Sequence, residues 1–557
     1  MSRAEPLANE PRWCGPAAVL AVVAGLGLMA ASAYSLSATY DEVAYLRIAA
    51  KWWRTGSQNE ITRMGSPLTF WKLQQGPVLW LLDQTGQGGL IDEPIARQAD
   101  LLPLVRMGAF WVWGVALGLT SWWSRVRYGP RAMAFSAWLF ALSPNLIGHG
   151  AILTMEMPII ATTVAVFALF MRFLETGRRA LFFGAAGCCG VAFSCKFTAV
   201  LIPVLLAMVW WVDLSRWGRS HPLRAFVKVA LAMVLFLGVM LLADVIITGG
   251  AVLTLSNEPG AAHPSVEGRF VSSPSFKRIL TRVMETPIPQ DWVGFAAQIR
   301  HQRSGGPSYL LGERRMTGWW YYYFVALSVK VPLSFWLLAV ARTLAGRASP
   351  SKERDWIFPL TIAAFLAITA AGSSRNYGVR YLLPMAPLAI VWVSSLAEMG
   401  KMWRLVACLG LLGQGLAVAS VYPDELTYFN ALCGGREGGR RVLSDSNLDW
   451  GQGLKSLARL QKTNPELRDL TLFYFGETKP EYYGVIGASH TIDAGSVHPG
   501  LPERFGAKTK YIAVSVSLVN GPWGPPGYFR RLEGVRPYVM TDDTTIAVYR
   551  ASGLVPD

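Results

Sequence analysis

The fold is decided at residues 15–42, Gly15-Pro16-Ala17-Ala18-Val19-Leu20-Ala21-Val22-Val23-Ala24-Gly25-Leu26-Gly27-Leu28-Met29-Ala30-Ala31-Ser32-Ala33-Tyr34-Ser35-Leu36-Ser37-Ala38-Thr39-Tyr40-Asp41-Glu42, an apolar run that stops at an acidic pair. Residues 15–35 carry no charged side chain. As a helix they span a hydrocarbon core, for which about 20 residues suffice. Carboxylates at a membrane boundary are costly to place and are seldom idle, which makes Asp41 and Glu42 candidates for function. The same run admits a second reading as a cleaved signal peptide, because Arg12 precedes it and Ala31-Ser32-Ala33 has a small-residue cleavage pattern. It is long for a signal sequence, and either reading leaves Asp41 outside.

The rest of the chain repeats the pattern. Of 557 residues, 52% are hydrophobic and 16% charged, with a mean hydropathy of +0.31. That composition predicts an α-helical polytopic membrane protein. About eleven transmembrane helices are expected, near 15–35, 104–123, 132–148, 154–174, 180–195, 197–212, 226–247, 319–341, 356–372, 378–397 and 403–421. Lys196 interrupts the 180–212 stretch, which reads either as a tight hairpin or as one kinked helix.

Charge sets the orientation. Arg125, Arg127 and Arg131 share one short connection, Arg178 and Arg179 a second, and Arg216, Arg219 and Arg224 a third. Arg342, Arg347, Lys352 and Arg354 share a fourth, and Lys401 and Arg404 a fifth. With the amino terminus inside, all five are cytoplasmic, as the positive-inside rule requires. This accounts for much of the net charge of +16 without nucleic acid, for which there is no basic stripe or binding motif. Cys14, Cys188, Cys189, Cys195 and Cys408 fall in or at expected spans and Cys433 is alone outside, so neither a disulfide framework nor a zinc spacing is present.

An odd number of spans exports three segments: loops 36–102 and 248–318, and residues 422–557. The expected organisation is a transmembrane module over 1–421 and a small exported α/β domain over 422–557. In that domain, strand-like runs at Val442-Leu443, 470–475, 511–516 and 546–549 alternate with a helical pattern over 453–461.

The exported loops hold the candidate chemistry. Over residues 42–54, Val43, Leu46, Ala50 and Trp53 lie at helical spacing opposite Arg47 and Lys51, the pattern of an amphipathic helix at the interface. Asp41 at its start is a preferred helix cap and equally a candidate catalytic carboxylate; one residue can do both. A second acid, Glu156, ends the stretch Ser143-Pro144-Asn145-Leu146-Ile147-Gly148-His149-Gly150-Ala151-Ile152-Leu153-Thr154-Met155-Glu156-Met157-Pro158 and sits in the first turn of the next span, where the helix dipole favours it. Lys72, Lys196, Arg375 and Arg380 fall on the outer side, against the orientation rule. A phosphate or diphosphate at that surface would explain them, with Tyr377 and Tyr381 beside Arg380 and with His149 as further binding candidates. Snorkelling side chains are the plainer reading of any single one. Trp319-Trp320-Tyr321-Tyr322-Tyr323 reads as an interfacial aromatic belt.

Four of these stretches together resemble the polytopic GT-C glycosyltransferases of the protein O-mannosyltransferase and aminoarabinose transferase type. They are Asp41-Glu42 after the first span, Ser143 to Pro158, Ser194-Cys195-Lys196-Phe197-Thr198, and Gly378-Val379-Arg380-Tyr381-Leu382-Leu383-Pro384. Tyr422-Pro423-Asp424-Glu425-Leu426-Thr427-Tyr428-Phe429-Asn430, followed by Ser446-Asn447-Leu448-Asp449-Trp450-Gly451-Gln452, is similar to a bacterial branch with an exported tail.

The resemblance implies transfer of a sugar from a polyprenyl-phosphate carrier to an extracytoplasmic acceptor by a membrane-embedded enzyme. It gives Asp41 the part of base, with Glu42 and Glu156 as the other catalytic candidates, and gives Lys72, Lys196, Arg375 and Arg380 the carrier phosphate. The chain departs from the pattern in having Glu156 where relatives commonly have Asp, and Gln75-Gly76-Pro77 in place of a His-Pro-Pro-like stretch. The sequence points to no particular cofactor and leaves a divalent metal open: no acids are spaced to hold one, though two carboxylates from separate loops could share one. Asp445, Asn447 and Asp449 read as glycan contacts or as a satisfied turn. The competing readings are a lipid or solute transporter, against which the mid-span regions are nearly free of charge, and a membrane scaffold with an exported binding domain.

Overall fold

A computed structural model describes residues 11–57, 71–216, 221–254, 282, 285–347, 353–492, 509–525 and 527–553. Parts of the expected loops 36–102 and 248–318 lie outside the described residues. Among those described, seven helices are long and apolar enough to cross a membrane: Cys14–Ser35, Gln98–Arg127, Glu156–Thr176, Phe197–Arg216, Pro222–Ile247, Val379–Glu398 and Lys401–Ala419. Tyr322–Lys330 and Leu333–Leu344 make an eighth if taken as one span bent by 104°, and Arg179–Phe193 and Ile357–Gly372 are shorter apolar helices.

Proline explains two departures from the expected spans. The 132–148 stretch is two helices, Pro130–Ala141 and Pro144–Gly150, because Ser143 is held extended before Pro144, which opens the second helix. The 319–341 stretch bends where Val331 is extended before Pro332. At Lys196 the chain is also extended, so 180–212 becomes Arg179–Phe193 and Phe197–Arg216 with a break between them.

The chain forms two compact units. One comprises Met1–Ala50, Val78–Ala161 and Gly306–Asp557; the other comprises Lys51–Pro77 and Thr162–Gly305.

In the first unit, basic connections meet at one end. Arg127 and Arg342 both reach Asp355, at 2.7 and 2.9 Å, and Glu398 accepts from the backbone N–H of Arg131 at 2.6 Å. Arg106 and Arg127 belong to the same apolar helix pair, and at about 1.5 Å per residue they stand roughly 30 Å apart along it. Arg106 therefore marks the opposite end, where Glu42 is its partner.

In this first unit the described residues after Tyr422 include a five-stranded mixed sheet, in the order Ala488–Ile492, Leu470–Phe475, Tyr511–Ser515, Ile546–Arg550 and Val539–Met540. The first three strands are parallel and the last two join antiparallel. Helix Leu454–Thr463 matches the expected one. Val442-Leu443 is not a strand: it follows the short helix Gly435–Gly439, and Leu443 is buried. The sheet shares one hydrophobic core with Leu36, which follows helix Cys14–Ser35, and with Ile152, through Phe473, Phe475, Ile512, Val514 and Ala547. Gly148 permits this closeness, since a Cβ there would stand 2.7 Å from the Leu426 nitrogen.

The second unit holds Arg179–Phe193, Phe197–Arg216 and Pro222–Ile247 together with helix Gln290–Arg303. Its aromatic contacts include Phe193 with Trp292 at 5.1 Å and Phe173 with Trp210 at 5.2 Å.

Candidate active site

Helix Tyr40–Thr55 forms as its spacing predicts, with Val43, Leu46 and Ala50 buried and Arg47 and Lys51 exposed. Ala44, Tyr45, Ile48 and Ala49 are buried as well, so the helix is packed into the protein more fully than one lying in an interface. Its first turn separates the acidic pair.

Glu42 turns inward. Both its oxygens meet the Arg106 guanidinium, at 2.8 and 2.6 Å, and both side chains are fully buried. Glu42 also accepts from the Thr39 N–H and hydroxyl and from the Leu153 N–H at 2.7 Å. Arg106 donates further to the carbonyls of Ala33, Leu36 and Ser37. Burial works to raise the Glu42 carboxyl, but the charge and hydrogen bonds of Arg106, with the backbone donors, hold it below its usual range. Glu42, a catalytic candidate on sequence, is thus fully engaged in joining three segments.

Asp41 turns the other way. Its Oδ2 lies 3.3 Å from Arg380 Nη1, and Glu156 Oε1 lies 4.0 Å from the same nitrogen. The Asp41 side chain is 24% exposed, against 13% for Arg380 and 3% for Glu156. Of the two acids on this guanidinium, Asp41 is the one open to a substrate. The Arg380 guanidinium stacks 4.3 Å from the Trp450 ring centroid and lies 5.6 Å from that of Tyr381, which fixes its plane. Its Nε is buried and has no hydrogen-bond partner among the described residues, an unused donor in the site. Tyr45 lies beside Asp41, Glu156, Arg380 and Tyr381, and burial raises its phenol well above the ordinary value.

Among the described residues no three His, Cys, Asp or Glu side chains gather closely enough to hold a metal ion. The cation between Asp41 and Glu156 is a guanidinium, so this donor set as it stands does not fit a metal.

No protein-family model matches the chain, and no curated protein matches it. Solved structures do resemble it. ArnT from Cupriavidus metallidurans in the apo state has a TM-score of 0.46 at 14% identity, covering 97% of this chain and 99% of that one. The same protein bound to undecaprenyl phosphate has a TM-score of 0.47 at 13% identity, with the same coverage. An oligosaccharyltransferase from Archaeoglobus fulgidus in the apo form has a TM-score of 0.41 at 12% identity, over 91% of this chain and 70% of that one. These neighbours are GT-C glycosyltransferases, the class that the sequence motifs resemble. At such identities and TM-scores the likeness carries no argument about activity, which is read from this chain's own residues.

The other candidates divide between the units. In the first, Arg375 donates to the Tyr377 hydroxyl at 2.9 Å, and Tyr377 stacks on Trp523 at 6.2 Å. His149 is buried in helix Pro144–Gly150. Lys72 and Lys196 belong to the second unit. Lys72 lies 5.7 Å from the Trp52 ring centroid; burial lowers its pKa while Asp291 works against that. Asp291 itself is pushed up to about 8, by burial first and then by the charge of Asp244, which accepts from the Ser194 hydroxyl at 2.7 Å.

Three contributors escaped the sequence reading. Arg106 stood inside the expected span 104–123, and an arginine within an apolar span is itself a signal. Lys330 likewise lies inside an expected span, so the mid-span regions are less free of charge than expected. It donates to the carbonyls of Leu426 at 3.1 Å and Asn447 at 2.6 Å, fastening the tail to the bend. The third, Trp450 over Arg380, follows from no local pattern.

Proposed function

We propose that this chain is an integral-membrane glycosyltransferase that moves a sugar from a polyprenyl-phosphate carrier to an extracytoplasmic acceptor. The observation that carries the reading is Arg380, stacked on Trp450, flanked by Asp41 and Glu156, and retaining a buried unpaired Nε. The Asp355 end of the first unit, rich in arginine, is assigned to the cytoplasm, and the Arg380 end to the outside.

Chemically, the Arg380 guanidinium would take the carrier's phosphate, since Arg binds phosphate through charge-assisted hydrogen bonds. That contact competes with Asp41 for the same nitrogen and frees the carboxylate. Asp41 then accepts the proton of an acceptor hydroxyl as its oxygen bonds to the anomeric carbon. The bond from that carbon to the phosphate oxygen breaks, and its electrons stay on the polyprenyl phosphate. This leaving group departs as a stabilised anion, so no second acid is needed to protonate it, in contrast to glycoside hydrolysis. Glu156 shares the guanidinium and orients it. Lys72 and Lys196 are proposed as phosphate contacts from the sequence alone.

The test uses purified protein in lipid with radiolabelled polyprenyl-phosphate sugars. Loss of label from the carrier that disappears in Asp41→Asn supports the transferase with that base. Donor binding without turnover, with acceptors supplied, favours the transporter reading instead.

A further inference from the structure

Residues 443–452 of the tail are buried, and their polar side chains are largely engaged in structure. Asn447 Oδ1 accepts from the Val379 N–H at 3.0 Å, and its Nδ2 donates to the Tyr322 hydroxyl at 3.0 Å. Asp449 accepts from the N–H groups of Gly451 at 3.1 Å and Ser517 at 2.9 Å. Gln452 closes on the Trp450 N–H at 2.7 Å and the Leu448 carbonyl at 2.6 Å. Asp445 is directed elsewhere. Its carboxyl lies within electrostatic reach of Arg380 and Asp41, with the Ser446 N–H and the Trp523 indole beside it.

The backbone is strained to hold it there. Asp445 has φ of 58°, a left-handed conformation uncommon outside glycine and tolerated by Asp and Asn. Strain of this kind persists where the surroundings over-determine it, and it clusters at functional sites. Two hydrogen bonds do the holding: Ser446 Oγ to the Tyr377 carbonyl, and Asn447 to Val379. Gly378, at φ of 119°, lies between them, and a Cβ there would overlap Ser446 Oγ. The tail is thereby fixed directly onto the strand of chain that carries Arg380.

Aromatic rings line the same place. Tyr40 stacks on Phe475 at 5.4 Å, Phe475 on Trp523 at 5.5 Å, and Trp523 on Tyr377 at 6.2 Å. The column runs from the residue before Asp41 to the loop before Arg380.

We propose that Asp445 is a substrate-binding residue of the transfer site, accepting a hydroxyl of the donor's sugar on its carboxyl beside Arg380. This assignment rests on the transferase reading above. A carboxylate with two acceptor oxygens suits a polyol, and a site built to bind one hydroxyl discriminates strongly against a sugar lacking it. As a turn residue alone, Asn would serve equally well at this φ.

The full chain in lipid is assayed with polyprenyl-phosphate hexoses, pentoses and their deoxy analogues, comparing wild type, Asp445→Asn and Asp445→Ala. The expected result for Asp445→Asn is an unchanged thermal transition, a donor KM raised at least about tenfold, and a collapsed preference for the parent sugar over one deoxy analogue. Its kcat falls less than that of Asp41→Asn. Wild-type KM and sugar preference in both Asp445 variants would overturn the assignment, as would loss of the thermal transition in Asp445→Asn, which would give the carboxyl to the fold. Wild-type protein that consumes no donor would instead overturn the transferase reading, and this assignment with it.

Discussion

Arg380 Nη1 stands 3.3 Å from Asp41 Oδ2 across 339 positions of sequence. The pair brings the proposed base and the proposed phosphate ligand to one place.

Replacing Asp41 with Asn keeps the side chain's shape and removes its basicity. Turnover should fall roughly 10²–10⁴-fold, the range of general base catalysis, with the thermal transition unchanged. Initial rates on the labelled donor check this.

Arg380→Lys should raise donor KM more than it lowers stability. A lysine keeps one charge but loses the planar stack on Trp450 and the Nε donor. Equilibrium binding of the donor by wild type and variant measures the loss directly.

Glu42→Gln should be a stability mutation. Breaking a buried ion pair from one side leaves Arg106 uncompensated, at a cost of about 3–5 kcal/mol. The double variant Glu42→Leu with Arg106→Met should be less destabilised than either single one. Because the folded Glu42 carboxyl lies below its unfolded value, its stabilisation is present above the unfolded pKa and is lost as pH falls through the folded one. Thermal melts descending from pH 5 in wild type and Glu42→Gln read the difference.

Asp445 predicts a pH dependence of opposite sense. Burial, opposed by Arg380 and assisted by Asp41, pushes its carboxyl up to about 7. A carboxyl raised on folding costs stability as pH rises through this value, and it is the ionised form that offers two acceptor oxygens to a sugar hydroxyl. The ratio kcat/KM should therefore rise as pH climbs through about 7 in wild type, and Asp445→Asn should remove that inflection.

Much of the frame was legible because its signals are local. An apolar run of membrane length and arginines at one set of ends act through the residues in sequence. The spans at 15–35, 226–247 and 378–397 accordingly lie within a few residues of the helices found. Strands 470–475, 511–515 and 546–550 were legible too, as short apolar runs between turns. Strand Ala488–Ile492 was not: it is an edge strand with three of its five residues exposed, so it carries little apolar signal.

The sequence by itself determined a helical protein with spans of membrane length, their arginine-rich ends, and the acids worth testing. Only the tertiary structure decided which acid faces Arg380. Asp41 and Glu42 are chemically alike and adjacent, and the choice depends on Arg106, the Leu153 N–H and Trp450, none of which is a sequence neighbour. Helix periodicity reports which faces are apolar, whereas a carboxylate's partner is set by packing between segments hundreds of residues apart.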